Sequence, residues 1–124
     1  IRGGTQRKLS TSSCNVLSNA VLATTAFDWF SASERAQFDR LRDEAKMCRL
    51  GGDCYIYAAV AMGYIDLGTD VDLNAYDIQA LIPIIRGAGG VVTTYDGDNT
   101  SMGGAVIASA NPALHKLALE QLSS

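Results

Sequence analysis

Asp66-Leu67-Gly68-Thr69-Asp70-Val71-Asp72-Leu73-Asn74-Ala75-Tyr76-Asp77, followed directly by Ile78-Gln79-Ala80-Leu81-Ile82-Pro83-Ile84-Ile85-Arg86-Gly87-Ala88-Gly89-Gly90, decides how the rest of the chain is read. Tyr64 to Asp70 has the composition of a strand, and Ile78, Leu81, Ile82 and Ile85 recur at the i, i+3, i+4, i+7 spacing of one helix face. Pro83 should kink that helix, because its ring removes a backbone donor and crowds the preceding turn. Gly89-Gly90 supplies the stop. A strand running through four carboxylates into a helix is an α/β signature, and Asp66, Asp70, Asp72 and Asp77 form the densest acidic cluster in the sequence.

Outward from this stretch the same alternation continues. Ala20 to Thr25 reads as a buried strand, and Thr5 to Ser10 as a short one. Ser31 and Glu34 form a capping box for an amphipathic helix over 33–46, with Phe38, Leu41 and Ala45 on its apolar face. Met47 to Leu50 is a brief strand, Gly51-Gly52 a break, and Asp53 to Met62 an almost wholly apolar helix ended by Gly63. Beyond Gly90, Val91 to Tyr95 and Ala105 to Ala110 are strands, with Asp96-Gly97 in a turn between them. Asn111-Pro112 opens a terminal helix with Leu114, Leu117, Ala118 and Leu122 on one face. The expected fold is a single α/β layered unit over 1–124, a mixed sheet flanked by helices.

Composition narrows the function classes. The chain has 124 residues, 48% hydrophobic and 19% charged, with a net charge of -3, which is the profile of one folded domain. Ten Lys and Arg against thirteen Asp and Glu leave no cationic stripe for nucleic acid. The longest apolar run, Ile56 to Met62, is too short for a bilayer span, and the amino end resembles no signal peptide, so no membrane partner is expected and the cytoplasm is the expected compartment. Cys14, Cys48 and Cys54 have no metal or redox spacing and read as reduced thiols, Cys54 in the core. His115 is the only histidine and, beside Lys116, is expected at the surface. Any divalent ion must therefore be held by oxygen, which favours Mg²⁺. The first ten residues, Ile1 to Ser10, read like the middle of a domain and suggest a fragment.

Residue types alone leave the chemistry open. Asp77 at a helix start is either a cap or an anionic ligand for a hard cation, and Asp53 after Gly51-Gly52 is either a cap or a contact for a cationic substrate group. Asp70 and Asp72 read as solvated loop charges. Gly87-Ala88-Gly89-Gly90 follows a helix rather than a strand, so it reads as a helix stop and not a phosphate cradle.

Leu73-x-x-Tyr76-Asp77-x-x-Ala80-Leu81-x-Pro83-Ile84-x-x-x-Ala88-Gly89-Gly90 resembles the carboxy-terminal signature of the inositol monophosphatase superfamily. Tyr76 before the Asp, Arg49-x-Gly51-Gly52-Asp53-Cys54-Tyr55-x-Tyr57, and Gly63-Tyr64-Ile65-Asp66-Leu67 resemble its histidinol-phosphatase branch. The resemblance implies a Mg²⁺-dependent phosphomonoesterase acting on a small phosphorylated substrate, histidinol phosphate in histidine biosynthesis, in which metal ions clamp phosphate and activate water. It implies that Asp77 is a metal ligand and that Asp70 contacts substrate where the family usually has the longer Glu. Asp53, with Arg49 close by, is implied to meet the substrate's cationic amine. The family's amino-terminal Glu-Glu and Asp-Pro-x-Asp-Gly-Thr motifs are not in this sequence. One family carboxylate gives Mg²⁺ too little charge compensation, so this chain, read as the carboxy-terminal half, is expected to hydrolyse little alone. The missing half of the same enzyme is its expected partner, and a cut surface favours a homo-oligomer. An inositol phosphate or other phosphomonoester is the rival substrate, and a non-catalytic binding or assembly domain that kept the fold is the rival of another class.

Overall fold

In a computed structural model, which describes residues 10–25, 30–51, 55–73, 78–97 and 104–122, five strands form one mixed sheet. They are β1 (Val21–Thr24), β2 (Met47–Leu50), β3 (Leu67–Leu73), β4 (Val91–Thr94) and β5 (Gly104–Ser109), in the order β2-β1-β3-β5-β4. β1 is parallel to both β2 and β3, whereas β5 runs antiparallel to β3 and β4. The helices are α1 (Ala32–Glu44), α2 (Tyr55–Met62), α3 (Ile82–Gly87) and α4 (Pro112–Leu122). The layered α/β expectation therefore holds.

Strand alternation sorts the core into two layers. Leu22, Leu67, Val71 and Ile107 point to one side and pack with Phe38 and Leu41 of α1 and Leu114, Ala118 and Leu122 of α4. Ala23, Val92, Val106 and Ala108 point to the other and meet Ile56, Tyr57 and Ala61 of α2 and Ile82 and Ile85 of α3. α2 lies directly on the sheet at Gly68, where a Cβ would come 2.6 Å from Ile56 Cγ2. The glycine is what allows this approach.

Several expected ends are seen as physical contacts. Ser31 Oγ accepts from the Glu34 amide while the Glu34 carboxylate accepts from the Ser31 amide, which fixes the start of α1. Asn111 Oδ1 accepts from the Leu114 amide at the start of α4. The last turn of α4 is held from outside: Arg40 donates to the carbonyls of Gln121 and Leu122, and Gln37 donates to that of Leu122. Gly89, at φ 105, ends α3 in the left-handed conformation.

Other expectations of the fold need correction. The strand after Gly63 is Leu67–Leu73 and not Tyr64 to Asp70. The amides of Tyr64 and Ile65 still bond to the Ala59 carbonyl at the end of α2, and Asp66 turns its carboxylate to the Val21 amide and to Ser12 Oγ, so the ladder starts one residue later. Pro83 does not kink a continuous helix. Ile78 and Gln79 are helical, Ala80 and Leu81 form a turn, and Pro83 occupies the first turn of a new helix, where its missing N–H has no partner to lose. His115 is buried, 5% exposed, not on the surface. Thr5 to Leu9, Asp53 and Cys54 lie outside the described residues. Among the described residues no helix is long and apolar enough to cross a membrane.

Candidate functional site

The parallel strands β1 and β2 end level with one another at Thr24 and Leu50, and β3 runs on past them to Leu73. Ala23 pairs with Arg49 of β2 on one side and with Gly68 of β3 on the other, so these carboxyl ends form one rim of the sheet. Open α/β sheets bind ligands outside such carboxyl ends. The segments that leave them, 26–29, 52–54 and 74–77, contain Asp53 and Asp77 and lie outside the described residues. Arg49 and Asp70 are described. Arg49 is exposed on the outer strand, in the row of Ala23 and Gly68, and Asp70 follows Gly68 by two positions on the same face.

Asp70 is a buried strand residue, 6% exposed, and not a solvated loop charge. Its Oδ1 accepts from the Thr25 amide at 2.9 Å and from Thr24 Oγ1 at 3.2 Å. Its Oδ2 accepts from Tyr57 Oη at 2.9 Å and from Thr25 Oγ1 at 3.2 Å. Burial pushes the carboxyl above the usual range, and these donors, the Thr25 amide first, oppose that shift. Four donors saturate the two oxygens of an ionised carboxylate. Immediately beyond, β3 takes three steps from Asp70 to Leu73 while β5 takes two from Val106 to Gly104, so an extra residue bulges out of β3 at the rim. Asp72 belongs to this bulged part of the strand, not to a loop.

The sequence reading missed both the hydroxyl partners and the burial of Asp70. A strand set at 67–73 would have put Asp70 on the same side as Gly68, facing the apolar helix. Residue identities offered no sign that Thr24, Thr25 and Tyr57 would converge from two other elements.

Among the described residues no group of three or more His, Cys, Asp or Glu side chains could hold a metal ion. Asp70 has its oxygens committed within the chain, and Asp77 is not among those residues. The described residues thus do not make a metal site on their own.

Residues 2–124 match the inositol monophosphatase family. The chain belongs to that family. Over 125 aligned residues it is 39% identical to the bifunctional phosphatase IMPL2, chloroplastic, of Arabidopsis thaliana, covering 92% of this chain and 36% of that protein. It is 31% identical to a histidinol-phosphatase of Mycobacterium tuberculosis, covering all of this chain and 48% of that protein. An inositol monophosphatase structure from Zymomonas mobilis superposes with a TM-score of 0.89 at 35% identity, over 94% of this chain and 47% of the other. This inositol monophosphatase-family chain spans less than half the length of each of these relatives.

Proposed function

We propose that this chain is the carboxy-terminal subdomain of a Mg²⁺-dependent phosphatase that releases phosphate from histidinol phosphate. The observation that carries the reading is the likeness to a histidinol-phosphatase along the whole chain, in which the parallel strands β2 and β3 lead in sequence into the segments bearing Asp53 and Asp77. In this reading Asp77 contributes one carboxylate to the metal site, and the amino-terminal half of the enzyme contributes the others, within a homo-oligomer. Asp53 attracts the cationic amine of the substrate, and the exposed Arg49, four positions before it in sequence, offers its donors to the substrate's phosphate. Bound Mg²⁺ supplies charge neutralisation of the phosphate and a more acidic water. Cys14 and Cys48 carry free thiols, in keeping with a reducing compartment such as the cytoplasm.

The likeness to an inositol monophosphatase structure favours a second reading, in which an inositol phosphate is the substrate. Phosphate release from histidinol phosphate and from inositol monophosphate, with and without Mg²⁺, separates the two. Weak Mg²⁺-dependent release is expected, preferring histidinol phosphate and lost in Asp77→Asn. Asp53→Asn should impair the cationic substrate selectively. Preference for inositol monophosphate would overturn the substrate assignment, and release without Mg²⁺ would overturn the mechanism. With no release at all, the activity belongs to a longer protein containing this subdomain.

A further inference from the structure

Two features at the rim meet: a tyrosine hydroxyl buried under α2, and a carboxylate whose two oxygens are both filled from within the chain. Tyr57 is 1% exposed, yet its hydroxyl reaches across to β3 and donates to Asp70 Oδ2. The other three donors to Asp70 come from the end of β1, two of them from Thr25. The carbonyls of Thr24 and Thr25 in turn both accept from the amide of Gly51, just past β2, and Gly51 holds φ 92 there. One carboxylate therefore ties α2 and β3 to the end of β1, and β1 carries the tie on to β2. The bulge in β3, beyond which pairing with β5 resumes at Leu73 and Gly104, begins immediately after it.

We infer that Asp70 and Tyr57 are positioning residues, which fix the stems of the segments carrying Asp53 and Asp77 and do not themselves touch substrate. The inference rests on the phosphatase reading and departs from the substrate contact implied for Asp70 by resemblance. Tyr57 stands four residues after Asp53 and Asp70 seven before Asp77, so their hydrogen bond is a short brace between the two segments. A substrate-contacting carboxylate needs an oxygen facing the ligand, and here both oxygens are filled from within the protein.

Two measurements on the full chain test this. Amide hydrogen exchange is compared between wild type and Tyr57→Phe, a variant that removes one hydroxyl and keeps the ring. Faster exchange, by about tenfold or more, is expected in peptides covering 50–58 and 70–78, with β4, β5 and α4 unchanged. Unchanged exchange at the rim, or equal acceleration everywhere, overturns the proposal. Phosphate release from histidinol phosphate supplies the second readout: Tyr57→Phe should lower kcat about tenfold with KM held within about twofold. Asp70→Glu, which keeps the charge and adds reach, should lose activity as Asp70→Asn does. If Asp70→Glu matches wild type, or if Asp70→Asn acts only through KM, Asp70 is a substrate contact and the inference fails. Should wild type release no phosphate, the activity belongs to a longer protein containing this subdomain, and the exchange measurement decides the brace by itself.

Discussion

The imidazole of His115 is held between two hydroxyls, with Nε2 2.7 Å from Thr93 Oγ1 and Nδ1 2.6 Å from Ser109 Oγ. Thr93 Oγ1 donates to the Thr94 carbonyl at 2.8 Å, so it accepts from Nε2–H, and Ser109 donates to Nδ1. Both ring nitrogens are satisfied in the neutral form. Burial lowers the pKa from the ordinary 6.5 to about 4.

A pH dependence of stability follows from that ring. The unfolded chain takes up a proton below about 6.5, whereas the folded chain refuses it until about 4. The stabilisation is therefore complete above the unfolded value and is lost as pH falls from about 6.5 to about 4, by on the order of 3 kcal/mol. Asp70, whose pKa is raised, has the opposite slope, so the contribution of His115 is read as the difference between wild type and His115→Gln. Urea unfolding at pH 7 and at pH 4.5 should show a larger loss in wild type than in the variant. Equal losses would contradict the burial of a neutral ring.

The hydroxyl relay from Tyr95 predicts an asymmetry. Thr69 Oγ1 donates to the Val106 carbonyl at 2.7 Å, which leaves it to accept from Tyr95 Oη at 2.6 Å. Burial pushes the Tyr95 phenol well above its ordinary pKa, so it stays a donor. Thr69→Val should cost about 1–3 kcal/mol because it strands a buried hydroxyl, while Tyr95→Phe should cost about 1 kcal/mol. The double variant should be less destabilised than the sum of the two. Chemical denaturation of the four proteins measures this.

Glycines at three positions should respond differently to alanine. A Cβ at Gly90 would meet Ile85 Cγ2 and the Ser109 carbonyl oxygen, both at 2.7 Å, and one at Gly68 would meet Ile56 Cγ2 at 2.6 Å. Each should lose about 1–3 kcal/mol, with Gly90→Ala the worse because a backbone atom cannot step aside. At Gly87, in α3, nothing lies within 4 Å. Gly87→Ala should gain about 0.5 kcal/mol by restricting the unfolded chain. Thermal melts of the three variants rank them.

Arg40 offers a test of the contact between α1 and α4. Its guanidinium bridges the carbonyls of Gln121 and Leu122, where an unpaired helix end favours a cation. Arg40→Ala should cost about 1 kcal/mol. Arg35→Ala, which removes a largely solvated pair with Asp39, should cost less, a few tenths.

Elements marked by local chemistry were legible in the sequence. The Ser31 and Glu34 box, the Asn111-Pro112 start and the Gly89 stop depend on neighbouring residues, so reading neighbours was enough. What depended on distant partners was not legible. Asp66 looks like strand interior until the Val21 amide, 45 positions earlier, claims its carboxylate. His115 looks like a surface residue until Thr93 and Ser109 meet it across the hairpin. At the candidate site, the resemblance pointed to Asp53, Asp70, Asp77 and Arg49, whereas the roles of Tyr57 and Thr25 became visible only once the packing of α2 and the end of β1 brought them to Asp70.

The mixed sheet also sets an order of assembly. β4, β5 and α4 follow one another, and β4 and β5 pair across a short connection, so they can gather early through local contacts. Pairing β1 with β3 means closing a loop of 45 positions before the Asp70 bonds are rewarded. By this loop-closure argument the rim at the ends of β1 and β2 is expected to mature last. A partly folded chain would have its hairpin and lack the Asp70 brace, and amide protection at the rim would report completed folding where helix content would not.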